Sequence, residues 1–477
     1  MRSFALAILG AAACVDVVSA QSAAPPAVQP FLRNWTRVEL WRYYDPPPGG
    51  GDPDTLHVGN RLQAGVRLRR GIIDATVALQ YVQFGGLPSD AIGPGALGTG
   101  GLYFDHSGDT SSAQVYLKTA SVAFRKIGGA VDVQVGRMPY TSGAERNSGV
   151  PKIEAVKRQR LDSRLVGEFE WSLYQRAFDG IRVDWSGSAW QATGTAFQPT
   201  QGGFEDAAGV SMDAVRVYSG VLTSAPAALV PHTELQVFGH YYDDERAVTA
   251  RPDNTGLRAD AADIGITSFG AHLVSAVPAA GGEVDVVLWA AGQAGSWYEQ
   301  EHRAFAFSAE GGYQWPGAPW APWLRAGFLR CRGDGDRADQ THATFFPMVP
   351  TVRRYSQSTL YSLLNVRDAF VTLVGGPRAN VTVRVDAHHL RLDSAADGWY
   401  AGSGATQEEG RIFGYTLRPS GGETSLMNVL EGSIDWRFNP RWSVNGYLGV
   451  GSRGRVVQAS FAGGPATFAY VENVIQF

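Results

Sequence analysis

The chain has 477 residues, with 41 lysines and arginines against 45 aspartates and glutamates and a formal net charge of −4. That balance offers no basic excess to hold a nucleic acid, and two cysteines in so long a chain build no disulfide framework. Lysine occurs only at Lys118, Lys126, Lys152 and Lys157, so arginine carries almost all the positive charge. A GC-rich genome produces such a bias. So does a need for planar guanidinium groups, which grip carboxylates through two parallel hydrogen bonds and stay ionised.

Residues 1–20 read as a secretory signal: Arg2 gives a basic start and Phe4 to Val18 is mostly small and apolar, apart from Asp16. Val18-Ser19-Ala20 then offers a small-residue cleavage site. A lipoprotein site at Cys14 would want a larger apolar residue than Ala11 or Ala12 before it. With the leader removed, Cys331 is the one cysteine left. Residues 21–34, rich in Pro and Ala, read as a periplasmic lead-in. Beyond the leader no run of about eighteen apolar residues can span a membrane as a helix.

From Trp35 onward the dominant pattern is alternation. In Arg61-Leu62-Gln63-Ala64-Gly65-Val66-Arg67-Leu68-Arg69 the odd positions are polar or tiny and the even ones apolar. Only a strand, with side chains of period two, sorts these onto two faces. About eighteen such segments follow one another: 35–44, 60–70, 73–84, 114–124, 130–138, 176–185, 188–197, 212–223 and 233–242, then 263–274, 283–294, 303–314, 322–330, 368–375, 380–392, 428–438, 442–451 and 467–477. Every second connection is short, as at Arg70-Gly71-Ile72, Ser186-Gly187 and Asn439-Pro440-Arg441, whereas 85–112, 139–175, 331–367 and 391–427 are long. A soluble sandwich has no reason to alternate loop lengths. The pattern predicts an all-β fold, a transmembrane antiparallel up-and-down β-barrel over residues 35–477, with its apolar face to lipid and its polar face to the lumen. Aromatics at the segment ends (Trp35, Trp41, Tyr43, Tyr44, Trp185, Trp315, Trp320, Trp323, Trp436, Trp442, Phe477) suit interfacial girdles.

Strand parity then assigns the lumen. Arg37, Glu39, Arg61, Arg67, Arg69, Arg182, Arg384, Asp386, Asp435 and Arg437 face inward, and opposite signs fall two residues apart in Arg37/Glu39, Arg182/Asp184, Arg384/Asp386 and Asp435/Arg437. Such pairs either set selectivity as charged rings or merely hydrate the lumen. The connection 139–175 carries Lys152, Lys157, Arg158, Arg160 and Arg164; it either folds inward as an anion-attracting constriction or stays outside as a solvated loop. Asp334 and Asp336 in Gly333-Asp334-Gly335-Asp336 weakly resemble a calcium loop, without the glutamate of an EF-hand; an Asp/Gly turn is the plainer reading. His388 and His389 point to opposite faces of a strand and cannot share a metal. No nucleophile elbow, zinc helix or P-loop is present, so no enzyme and no cofactor is expected.

The order of several segments resembles the alginate export family of bacterial outer-membrane porins. They are Val135-Gly136-Arg137, Arg160-Leu161, Arg164-Leu165-Val166 and Arg176-Ala177-Phe178-Asp179-Gly180-Ile181-Arg182, followed by 331–350, 388–404 and 430–451. The resemblance implies an eighteen-stranded barrel with an electropositive pore that passes a polyuronate. Carried over by motif, Arg137, Arg160, Arg164, Arg176, Asp179 and Arg182 become pathway residues. The expected function is an Arg-lined, anion-selective channel of passive diffusion. The alternatives are a porin for uptake of small anionic solutes, or a plugged barrel with an adhesive or structural surface role. The expected partners are outer-membrane lipid, the barrel-assembly machinery, which would read Phe477 as its signal, and an anionic polysaccharide or small carboxylate. The expected state is a monomer in the bacterial outer membrane.

Overall fold

In the computed structural model the described residues are 27–94, 98–248, 263–336, 338–351, 355–409 and 413–477; the leader read at residues 1–20 lies outside them. The strands are β1 (Val28–Arg42), β2 (Asp54–Arg70), β3 (Ile73–Gly85), β4 (Ala113–Ile127), β5 (Val131–Met138), β6 (Phe178–Ser186) and β7 (Trp190–Pro199). Next come β8 (Val215–Ser224), β9 (Thr233–Asp244), β10 (Ile264–Ala279), β11 (Gly282–Trp297), β12 (Gln300–Gln314), β13 (Trp323–Cys331) and the short β14 (Thr341–His342). The rest are β15 (Val366–Arg378), β16 (Val381–Leu392), β17 (Gly398–Gly402), β18 (Tyr415–Pro419), β19 (Ser425–Asn439), β20 (Trp442–Gly451) and β21 (Ala466–Gln476).

Eighteen of these close into a ring of antiparallel neighbours, sealed where β1 pairs with β21 from Arg33↔Gln476 to Arg42↔Thr467. The other three belong to loops: β17 and β18 form a hairpin, and β14 runs parallel to the upper end of β12, above the point where β13 stops. Closure leaves no unpaired strand edge, which a lipid-exposed sheet requires. All eighteen segments read from the alternation become barrel strands. The first begins at Val28 rather than Trp35, because the supposed lead-in pairs with β2 from Val28↔Leu68 onward. That correction shortens the lead-in of 21–34. The alternation of connection lengths fails once, where Tyr298 and Glu299 alone join β11 to β12 at the end carrying the long loops.

Burial is inverted relative to a soluble protein. Leu56, Val115 and Leu430 are each about 60% exposed on the outside, whereas Asp285, Asp368 and Arg325 are fully buried inside. The apolar core sits within the lumen and is built by loops, among them Ile153, Val156, Val166, Phe346, Val349, Leu363 and Tyr400. Two of those loops zip together: Val349 N–H donates to the Leu165 carbonyl at 2.9 Å, and Thr351 N–H to the Ser163 carbonyl at 2.9 Å. At the turn end Trp436, Phe438 and Trp442 stack with ring centres 4.3 and 4.2 Å apart. They join exposed Trp185, Trp315, Trp320 and Phe477 in an interfacial belt. Trp41, Tyr43, Tyr44 and Trp323 do not join it; they are buried inside against the loop core.

Candidate functional site

The connection between β5 and β6 enters the barrel. Within it, a helix, α1 (Pro151–Arg160), opens with Pro at the first turn and closes with Lys157, Arg158 and Arg160, so its charges complement the helix dipole. Glu154 Oε1 accepts the Ser148 N–H at 2.9 Å and caps the entry. The basic side chains then meet a ladder of wall carboxylates. Lys157 Nζ lies 2.9 Å from Glu234 of β9, and Lys152 Nζ 3.7 Å from Asp285 of β11. Arg160 and Arg164 grip Glu310 of β12 at 2.8 and 3.0 Å. Arg325 of β13 bridges Asp285 at 2.9 Å and Glu310 at 3.4 Å. Arg160 also lies 4.0 Å from the centre of the Phe370 ring and donates to the Tyr355 carbonyl at 3.1 Å.

These arginines therefore staple the loop to the wall. Arg164 is pushed down to about 10 by burial, against the pull of Glu310, and remains charged at neutral pH. Arg176 is also fully buried, donates to the Ser403 carbonyl at 3.0 Å, and is pushed down to about 10 by burial. Lys118 meets the Arg176 carbonyl and, at 3.0 Å, Glu168. Arg158 is exposed on α1. Sequence reasoning named the loop cations but not Glu234, Asp285 and Glu310. Their signal was present, since each occupies an inward position of a strand that the alternation had already located.

Below the inserted loops, toward the turn end, a chamber of about 750 Å³ remains. Its wall carries Arg33, Arg37, Arg61, Arg67 and Lys118 against Glu168, Glu170, Asp435 and Glu472. Arg37 pairs with Glu472 at 2.6 Å and with Glu39 at 3.3 Å, and its guanidinium lies 3.4 Å from the centre of the Trp171 ring. Arg33, Arg61 and Arg67 make no ion pair with a described residue. Arg61 rests 3.8 Å over Trp35 and donates to the Ser172 carbonyl at 3.3 Å. Arg67 lies 4.8 Å over Phe31, and Arg33 donates to Gln476 Oε1 at 3.2 Å. Ring faces hold such cations in place without neutralising them.

The remaining residues read as pathway divide by location. Glu39 is buried and accepts from Thr99 Oγ1 at 2.8 Å. Arg182 holds Asp184 through two bonds of 2.7 and 2.9 Å, and Arg384 holds Asp386 through two of 2.6 and 2.9 Å. The fourth pair is not made in that form: Asp435 accepts from Asn445 at 2.7 Å, and Arg437 is exposed. Arg69 pairs with Asp74 at 2.9 Å at the open mouth, where its side chain is 68% exposed. Arg137 and Asp179 correct the motif-based reading. They share the outward alternate positions of Val135 and Ile181, bind each other at 2.7 and 2.6 Å, and are covered by the Gly209 carbonyl and Ser211, away from the chamber. The segment named as a weak calcium candidate carries the hydrogen bonds of an Asp/Gly turn. Asp334 accepts the Asp336 N–H at 3.0 Å and Asp336 accepts the Ala338 N–H at 2.9 Å. Among the described residues no group of three acidic, His or Cys side chains could hold a metal. His388 is buried between Asp368 and Glu431, and His389 is exposed outside.

The family model described as "Alginate export" matches residues 100–451. The chain belongs to the alginate export family. With the closed barrel, that membership places it in the bacterial outer membrane, as a channel-type barrel. No curated protein matches the chain significantly. Similar solved structures include OccAB3 of Acinetobacter baumannii, with 10% identity, a TM-score of 0.59 and coverage of 94% of this chain and 99% of that one. OpdK of Pseudomonas aeruginosa, solved with vanillate, gives 9%, 0.55, 94% and 98%. OccK5 (OpdH) of Pseudomonas aeruginosa gives 11%, 0.52, 94% and 98%. At these identities they share the fold.

In this family member, Phe477 seals the barrel seam: its N–H donates to the Leu32 carbonyl at 2.8 Å, and the Leu32 N–H returns to Phe477 O at 3.2 Å. Its exposed ring belongs to the belt. Deleting Phe477 is expected to lower the amount of protein assembled in the outer membrane severalfold while leaving the conductance of assembled molecules unchanged. Immunoblots of membrane fractions with single-channel recordings check this; normal membrane levels would sink the assignment.

Proposed function

We propose that this barrel is a passive, anion-selective channel for carboxylate-bearing sugars of the polyuronate class, with the turn-end chamber as its selective region. The observation that carries the reading is the set Arg33, Arg61 and Arg67, which face the chamber without an ion-pair partner among the described residues. Guanidinium groups suit uronate carboxylates, which they bind through two parallel hydrogen bonds. Confinement among low-dielectric walls focuses the field of those charges. A passive channel moves solute down its gradient, so the same chamber serves export or uptake. Its volume falls within the range of about 300–1,000 Å³ typical of small-molecule sites, which favours short uronates or a polymer taken segment by segment.

A second reading has its own support. The loop 139–177 and the described residues of 332–365 fill the lumen above the chamber with a packed apolar core, as in a plugged barrel with a surface role. Planar-bilayer recordings separate the two. The channel reading expects open-channel current that a trimeric or tetrameric uronate interrupts and that a neutral oligosaccharide of equal length does not. Absence of conductance would favour the plug.

A further inference from the structure

On the outside of the barrel three arginines lie side by side at the loop end. Cross-strand register sets Arg330 of β13 opposite Arg367 of β15, and Arg367 opposite Arg391 of β16. They occupy the outward alternate positions, in step with exposed Phe328, Val371 and Val385. One carboxylate serves two of them: Asp393 accepts from Arg330 Nε and Arg367 Nε, each at 2.6 Å, while Arg391 Nη2 donates to Thr424 Oγ1 at 2.9 Å. Like charges directly opposite on neighbouring strands weaken the pairing. Asp393 offsets only part of that repulsion, and the row keeps a net positive charge open to an external anion.

Directly below the row the lipid-facing surface is recessed. Ala326, Gly327, Ala369, Val371, Ala387 and Leu430 line a trough of about 600 Å³, apolar and open to the bilayer. Between row and trough, His389 Nδ1 and Asn428 Oδ1 are hydrogen bonded at 2.7 Å on the same outer face. Phe305, whose ring centre lies 5.2 Å from the Arg330 guanidinium, and the neighbouring pair Phe307 and Phe328 place aromatic side chains at this level. Girdles of aromatic residues flank the apolar band of membrane barrels at both interfaces. The surface thus reads, from the loop end inward, as cations, then hydrogen-bonding groups, then an apolar trough.

We propose that this face binds one molecule of the phosphorylated glycolipid of the outer leaflet. Its phosphate oxygens accept hydrogen bonds from Arg330, Arg367 and Arg391, sugar hydroxyls meet His389 and Asn428, and an acyl chain lies in the trough. The chemistry favours a sugar phosphate over a glycerol phosphodiester. With strands roughly 4.8 Å apart the row is about 10 Å wide, broader than one phosphate, and it adjoins neutral polar groups suited to hydroxyls.

Native mass spectrometry of the full-length, detergent-purified barrel titrated with diphosphoryl lipid A tests this. Arg330→Gln with Arg367→Gln and Arg391→Gln is expected to weaken binding at least tenfold. Arg216→Gln, at an outward loop-end position of β8 paired with Asp243, should bind as the unaltered protein does. On the unaltered protein, fully dephosphorylated lipid A and phosphatidylglycerol should each bind at least tenfold more weakly than the diphosphoryl form. That comparison stands even if the triple variant misassembles. Equal binding of the three lipids, equal binding by the triple variant, or an equal loss in Arg216→Gln would overturn the site.

Discussion

Replacing Glu310 with Ala is expected to release the inserted loop and enlarge the pore. Glu310 is the carboxylate shared by Arg160, Arg164 and Arg325, at 2.8, 3.0 and 3.4 Å. All four side chains are buried. Removing the one anion leaves three neighbouring cations; Asp285 is already bound to Arg325, and Asp368 is the other carboxylate that acts on Arg160. Breaking a buried pair from one side typically costs about 3–5 kcal/mol, because the surviving charge is left desolvated and uncompensated. The barrel wall is held by its own hydrogen-bonded ladder, so the cost should fall on the loop contacts. Single-channel conductance should rise severalfold and become noisier, while the heat-modified gel shift of the barrel persists. Glu310→Gln, which keeps an acceptor and loses the charge, should lie between. Unchanged conductance in Glu310→Ala would mean that the loop is held by its apolar contacts instead, through Ile153, Val156, Leu165 and Val166.

Converting Arg33, Arg61 and Arg67 to Gln is expected to remove most of the anion preference. At roughly 8 Å in water-like dielectric a single charge contributes about 0.5 kcal/mol to a passing ion. Three such charges amount to about 1.5 kcal/mol, close to a factor of ten in relative permeability. The effect should be largest at about 0.1 M salt, where the Debye length is near 10 Å, and should fade at about 1 M, where it is near 3 Å. Reversal potentials under a salt gradient measure it. The matched control is Arg182→Gln: Arg182 lies inside the barrel but is held bidentately by Asp184. A permeability ratio that responds to Arg182→Gln as much as to the triple change would show that the chamber arginines have no special role.

The charged residues of the lumen were only partly legible in the sequence. The strand parity that placed Arg37, Arg61 and Arg67 inside the barrel was readable because a strand has period two and a membrane barrel has one apolar face. The same logic missed Arg33, since Val28–Asn34 carries Pro30 and little alternation, and only the pairing with β2 makes it a strand. The resemblance to relatives pointed at Arg160, Arg164 and Arg176, and these do lie inside. Burial against Glu310 and the Ser403 carbonyl makes them fastenings of the loop. It also pointed at Arg137 and Asp179, which share the outward parity of Val135 and Ile181 and hold each other.

By itself the sequence determined the barrel, its strand number and which face meets lipid. Those follow from local periodicity and from the lengths of the connections, and each strand announces them independently. Only the tertiary structure decided which charges are spent on one another and which remain for a solute. Ion pairing across the lumen joins residues some 70 to 150 positions apart, such as Lys157 with Glu234 and Arg160 with Glu310. No local pattern encodes such a distance. It is set by where a long loop comes to rest inside a closed wall, because a buried guanidinium is stable there only against a carboxylate that the opposite strand happens to present.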